Sequence, residues 1–210
     1  HQFYVGFSNS VLWPSFHYRL DLIKHESAFL TGYKRVNSKF ADALFPLLED
    51  DDIIWVHDYH LIPLASELRS AGIENRIGFF LHVPFPGIAV LQALPPWRQI
   101  LQSLCMYDVV GFQTSQDRED FLECLRFAGL GGERRGNGAS QVEALQRQIT
   151  VDVFPIGIDV DEATTLSASM ADDPEVVDVL DIDNTIAPGV WADVAQRIIA
   201  AELYDQSQQV

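Results

Sequence analysis

The stretch IIWVH, Ile53–His57, runs without a break into Asp58-Tyr59-His60, and a second apolar run, IGFFLH at Ile77–His82, stops at His82 before Val83-Pro84-Phe85-Pro86. Both runs are short and rich in Ile, Val and Phe, and they largely lack period-two alternation. That pattern predicts strands covered on both faces. DVVGFQ at Asp108–Gln113 and ITVDVF at Ile149–Phe154 read the same way. Helical patterns lie around and between the strands. Tyr33–Leu48 sets Val36, Phe40, Leu44 and Leu47 on one stripe, and Leu61–Ala71, Val90–Leu104 and Gln116–Phe127 follow, the last with Ser115 as its N-cap. The Gly-rich stretch GLGGERRGNGAS, Gly129–Ser140, reads as a polar surface loop. Strands alternating with helices imply an α/β fold with a parallel sheet built from βαβ units.

Composition sets the outer bounds. At about 150 residues per domain, 210 residues allow one large domain or one and a half. An apolar fraction of 48% with 21% charged residues excludes wholesale disorder. No apolar run approaches the roughly 18 residues of a membrane span. The net charge of −16 argues against a nucleic-acid binder, which needs a basic face. Two cysteines, Cys105 and Cys124, make neither a disulfide framework nor a CxxC metal site, so a reducing, cytoplasmic setting is expected. The first residue is His1 rather than Met and no signal peptide is visible, so the chain is expected to start partway through a longer reading frame.

The acidity is uneven. Residues 1–150 carry 17 acidic and 13 basic side chains, whereas residues 151–210 carry 13 acidic side chains and one basic one, Arg197. The change falls just after Val151–Ile156 and marks a boundary between a folded body and a tail of different character.

Four polar residues stand at the ends of the first two strands. His57, Asp58, His60 and His82 gather at the carboxyl edge of a parallel sheet, where ligands bind in open α/β folds. Two plainer readings stand beside this one. Asp58 and His82 can simply cap a strand or a helix N-terminus. His57, His60 and His82 can in principle form a zinc site, although no other feature of the sequence supports one.

WVHDYHL (Trp55–Leu61) and GFFLHVPFP (Gly78–Pro86) resemble the trehalose-6-phosphate synthase family. FSNSVLWPSFHYR (Phe7–Arg19), LEDDDIIWVHDYHL (Leu48–Leu61), LCMYDVVGFQT (Leu104–Thr114) and VFPIGID (Val153–Asp159) extend the likeness in the family's order and spacing, over roughly residues 1–160. The resemblance implies a Rossmann-like parallel sheet that is one incomplete half of a two-domain GT-B glycosyltransferase. Residues 1–160 would be the acceptor-binding domain without its first strand–turn–helix, and residues 161–210 an acidic, partly helical tail. Such enzymes are retaining glucosyltransferases that pass glucose from a nucleotide sugar, usually UDP-glucose, to glucose 6-phosphate. Tyr4 and Trp13 match aromatic positions of the glucose 6-phosphate site, with Tyr4 near the phosphate. Asp58 matches the carboxylate that accepts hydrogen bonds from acceptor hydroxyls, and His82 the histidine that contacts the donor glucose near the reacting centre. These roles suit the side chains, because a sugar offers hydroxyls to a carboxylate and an apolar face to an indole. Trp13 can also be a plain core or interface aromatic. No metal and no cofactor is implied, no membrane or nucleic acid is expected as a partner, and a homo-oligomer is allowed.

The family's Gly-rich donor loop with its phosphate-contacting arginine, and the C-terminal domain that neutralises the leaving diphosphate, have no counterpart in these 210 residues. This leaves two readings: the acceptor half of the enzyme, inactive as an isolated chain, or a non-catalytic sugar-phosphate-binding module that pairs with a full-length homologue. In the tail, Asp181-x-Asp183-x-Thr185 resembles the first motif of haloacid-dehalogenase-type phosphatases, but only 25 residues follow Thr185. A solvated acidic segment with a helix at Val190–Tyr204 is the expected form.

Overall fold

Four parallel strands carry the architecture: β1 (Ile53–His57), β2 (Arg76–Phe80), β3 (Val109–Phe112) and the last strand of the sheet, Arg147–Val153. The computed structural model describes residues 1–134, 141–157 and 164–165. These residues fall in two units, His1–Pro155 and Ile156–Val210. The Asp181–Thr185 motif and the helix expected at Val190–Tyr204 lie outside the described residues.

All four runs expected to be strands are strands, and they pair in parallel as expected. Two further strands, β4 (Gly131–Arg134) and β5 (Gln141–Ala144), extend the sheet antiparallel beyond β6 (Arg147–Val153), giving the order β1-β2-β3-β6-β5-β4. The expected loop at Gly129–Ser140 is therefore corrected over its first half. The β5–β6 turn is Leu145-Gln146, both at positive φ (48° and 63°). A two-residue hairpin of this kind normally advertises itself by Asn-Gly or Asp-Gly, so Leu-Gln hid it.

One face of the parallel strands is packed. Ile54, Val56, Ile77, Phe79, Val110, Phe112, Ile149 and Val151 are all buried there. The other face is not covered at β1, where Ile53 and Trp55 are 69% and 50% exposed. Burial alternates along this edge strand, contrary to the expectation of cover on both faces. Trp55 instead lies flat over Gly78, where an added Cβ would come within 2.2 Å of the indole.

The helices depart from expectation where proline and cap chemistry intervene. The N-terminal segment Gln2–Leu12 is a wide π-helix, with Trp13 N–H bonding Ser8 O five residues back, and α1 (Trp13–Phe16) continues it. Helix α2 spans Ser27–Leu44 and buries Phe29, Tyr33, Asn37 and Ala41; Phe40 and Leu47, placed on the apolar stripe by the sequence, are exposed. After α3 (Leu64–Ser70), the single helix expected at Val90–Leu104 is two, α4 (Ile88–Leu91) and α5 (Trp97–Leu104). Pro95 and Pro96, which cannot donate helical hydrogen bonds, separate them. In α6 (Ser115–Ala128) the N-cap is Thr114, not Ser115: its hydroxyl accepts the Asp117 N–H at 3.2 Å. Among the described residues, no helix is long and apolar enough to cross a membrane.

At the amino-terminal edge of the sheet, Asp108 accepts from both Arg69 and Arg147 at 2.8 Å and from the Ile77 N–H at 2.8 Å. Both guanidinium groups also bond backbone carbonyls, Arg69 those of Ile73 and Asn75, Arg147 those of Cys105 and Met106. The cluster pins the starts of β2, β3 and β6 and sets their register.

Candidate functional site

At the opposite edge the chain leaves β1 through an unusual backbone. Asp58 has φ 66° and ψ 169°, a conformation open in practice only to glycine and costing other residues about 1–3 kcal/mol. Its N–H still donates to Phe80 O at 2.8 Å, so the ladder to β2 continues one residue past the strand. Its carboxylate accepts the Tyr59 N–H at 3.1 Å and caps the short 3-10 turn Tyr59–Leu61. The capping reading of Asp58 is therefore realised, but a cap alone does not require the strained backbone.

His82 follows β2 by two residues and meets His57, the last residue of β1. His57 Nδ1 and His82 Nε2 are 2.9 Å apart, with ring centroids at 5.1 Å and planes 25° apart. Phe80 stands edge-on to His82 at 4.8 Å. Burial pushes the His82 pKa below its ordinary value, the Asp58 charge opposes this, and His57 adds to the lowering.

Tyr4 projects from the π-helix, 56% exposed, and stacks on His60 at 5.2 Å with planes 13° apart. His60 stacks in turn on Tyr59 at 4.2 Å, and Tyr59 donates its hydroxyl to Asn9 Oδ1 at 3.1 Å. Asn37 holds the His60 carbonyl from below at 3.2 Å. Burial lowers the His60 pKa, with Asp58 opposing. This ladder links Tyr4 to the residue following Asp58. Trp13, 39% exposed, stands outside it and stacks on His17 at 4.2 Å, while His17 Nδ1–H donates to Trp13 O at 2.7 Å.

The three histidines weighed as a zinc site do not converge. His57 and His82 face each other, while His60 is sandwiched between tyrosines. Among the described residues no group of three or more His, Cys, Asp or Glu side chains could hold a metal ion.

Two supports of the site went unread in the sequence. Asp117 accepts the Phe85 N–H at 2.8 Å and the Thr114 hydroxyl at 2.6 Å. Tyr18, itself at φ 59°, accepts the Gly87 N–H at 2.9 Å. Together they hold the Val83–Gly87 loop that leaves His82. The spacing of Thr114 and Asp117, a cap followed by an acid three residues on, could have revealed the first. No local pattern announces the second. Two cavities of about 330 and 260 Å³ lie elsewhere, one at the Arg69–Asp108–Arg147 cluster and one lined by residues of α2, α3 and α5; neither touches Asp58 or His82. In the first, Asp108 and backbone carbonyls take the terminal nitrogens of Arg69 and both terminal nitrogens of Arg147, which makes it a structural feature of the sheet edge, with Arg69 Nε left without a partner.

Comparison with known proteins bears on this edge. Residues 1–176 match the sequence model of glycosyltransferase family 20. The trehalose-6-phosphate synthase of Enterobacter sp. (strain 638) is 52% identical over 161 residues, covering 77% of this chain and 33% of the relative. Among solved structures, the alpha,alpha-trehalose-phosphate synthase (UDP-forming) of Burkholderia xenovorans in complex with glucose-6-phosphate superposes with a TM-score of 0.76 at 44% identity, covering 85% of this chain and 40% of the other. An E. coli trehalose-6-phosphate protein bound with UDP-2-fluoro glucose gives a TM-score of 0.73 at 46% identity, over 85% of this chain and 39% of the other. The chain thus spans about a third of the length of the curated relatives it matches. A sheet that resembles one part of those proteins, joined to a sequence match running from residue 1 past the last strand, leads to one conclusion: the chain belongs to glycosyltransferase family 20.

Proposed function

We propose that residues 1–160 form the acceptor-binding part of a retaining glucosyltransferase that moves glucose from UDP-glucose to glucose 6-phosphate, yielding trehalose 6-phosphate, with residues 161–210 a separate acidic tail. The observation that carries the reading is Asp58. A carboxylate held at a glycine-type backbone conformation, where two parallel strands end, is a strained residue retained at the edge where ligands bind. Names of relatives support the ligands: one solved relative holds glucose-6-phosphate and another UDP-2-fluoro glucose. The two buried, unpaired cysteines support a cytoplasmic, reducing setting.

In this reading each side chain has a task set by its chemistry. Asp58 accepts hydrogen bonds from acceptor hydroxyls, which orients the attacking sugar. Tyr4, stiffened by the His60–Tyr59 stack, offers its exposed hydroxyl to the phosphate. Trp13 offers an apolar face to a sugar ring. His82, neutral because burial disfavours its charge, contacts the donor glucose near the reacting carbon. Charge on the departing diphosphate is neutralised by basic groups that the resemblance places outside these residues, and such electrostatic stabilisation contributes several kcal/mol to the barrier.

The test is a calorimetric titration of the 210-residue chain with glucose 6-phosphate. Weak binding, about millimolar, is expected. Phosphate partners outside the chain would each add roughly 1.5–3 kcal/mol, and a net charge of −16 repels a dianion. Asp58→Ala should remove the binding. Tight binding indifferent to Asp58→Ala would overturn the placement of the acceptor site. The same chain should transfer no glucose from UDP-glucose above background.

A further inference from the structure

His57 carries no role in the reading above, yet its side chain makes a direct contact with His82. We propose that His57 is a positioning residue for His82, holding the ring and its proton in one orientation through an imidazole–imidazole hydrogen bond. The proposal rests on the reading of His82 as a sugar contact.

The strand geometry builds the contact. His57 ends β1 opposite Phe80, and His82, two residues further, returns to the same side of the extended chain. Phe80 stands at 70° to the His82 ring and closes one side. The Asp58 N–H bond to Phe80 O and the Leu81 N–H bond to Gly111 O, at 2.8 and 3.0 Å, lock both backbones just where the rings meet. The contact is therefore placed by sheet register, although the His57 ring itself is exposed.

Nitrogens 2.9 Å apart require one ring to donate and the other to accept. Free histidine favours the form protonated at Nε2. With both rings in that form the contact is satisfied: His82 Nε2–H donates and His57 Nδ1 accepts. His82 then cannot turn its ring or exchange its tautomer without losing the bond. A histidine that must address a sugar hydroxyl with a defined donor or acceptor needs such a partner, because the hydrogen bond at one nitrogen decides which nitrogen carries the proton.

The experiment is ¹⁵N NMR of the histidine side chains in the 210-residue chain without sugar. A through-hydrogen-bond coupling between His57 Nδ1 and His82 Nε2 is expected. So is a single His82 tautomer protonated at Nε2. In His57→Phe, which keeps a flat ring but offers no acceptor, the His82 ¹⁵N resonances should move away from those of the parent chain. In His57→Asn, whose Oδ1 can accept from His82, they should move back. Absence of the coupling in the parent chain overturns the proposal, as does a His82 spectrum unmoved by His57→Phe. The coupling is read without ligand, so it stands or falls separately from the glucose 6-phosphate titration.

Discussion

The buried carboxylate of Asp117 accepts the backbone N–H of Phe85 at 2.8 Å, tying the first turn of α6 to the loop that leaves His82. Its other oxygen takes the Thr114 hydroxyl, so one side chain serves both the helix cap and the loop. Asp117→Ala would leave the buried Phe85 N–H without a partner, at about 1–3 kcal/mol, while the exposed Thr114 hydroxyl turns to water. The expected loss is about 1–3 kcal/mol in urea unfolding, with Asp117→Asn, which keeps one acceptor oxygen, losing less. Equal stability of Asp117→Ala and the parent chain would contradict this account of the loop.

Asp58 predicts a trade between stability and binding. Glycine at position 58 relieves the strained backbone, worth about 1–3 kcal/mol. It also gives up the carboxylate bond to Tyr59 N–H and adds unfolded-state entropy of about 0.5–1 kcal/mol. Asp58→Gly should therefore be as stable as the parent or up to about 2 kcal/mol more so, while losing glucose 6-phosphate binding. Asp58→Ala retains the strain without the cap and should be the less stable of the two. Urea denaturation of both variants checks the order.

Stability should fall as pH drops from 7.5 to 5.5. The folded-state pKa values of His60 and His82 lie below the ordinary 6.5, burial being the main cause in both. The unfolded chain therefore binds protons first, and folding is progressively disfavoured as pH falls through 6.5 towards the folded values. The urea midpoint should be lower at pH 5.5 than at pH 7.5. His60→Phe, which keeps a ring between Tyr4 and Tyr59, should flatten part of that slope. A midpoint that rises on acidification over this window would contradict the burial of both rings.

Both thiols should be inert in the folded chain. Burial pushes Cys105 and Cys124 up to about 12; Arg147 opposes the shift at Cys105, whereas Asp120 and Glu123 add to it at Cys124. At pH 8 about one thiol in ten thousand is then the reactive thiolate. Iodoacetamide should label neither in native buffer and both in concentrated urea, as read by intact mass. Rapid native labelling of either cysteine would overturn its placement.

The four parallel strands could be read from the sequence because each is an unbroken apolar run bounded by turn residues, a signal carried by consecutive positions. Asp58 and His82 could be placed at the carboxyl edge for the same reason: each directly follows such a run. The β5–β6 hairpin was not legible, since Leu145-Gln146 adopts positive φ without the residues that usually favour it. Phe40 is as hydrophobic as the buried residues of α2 yet exposed, because only the neighbours decide which face is covered, and Leu47 lies beyond the end of the helix at Leu44.

The sequence by itself determined the four parallel strands, the edge at which the polar residues gather and the family to which the chain belongs. Tertiary structure alone decided how those residues meet. That His57 touches His82 follows from strand register, that His60 braces Tyr4 follows from the π-helix crossing Tyr59, and that Asp117 holds Phe85 follows from α6 packing beside the loop after β2. Each joins positions far apart in sequence through a contact of a few ångströms. Local propensity and apolar periodicity carry no information about such contacts, because the packing that forms them depends on every intervening element at once.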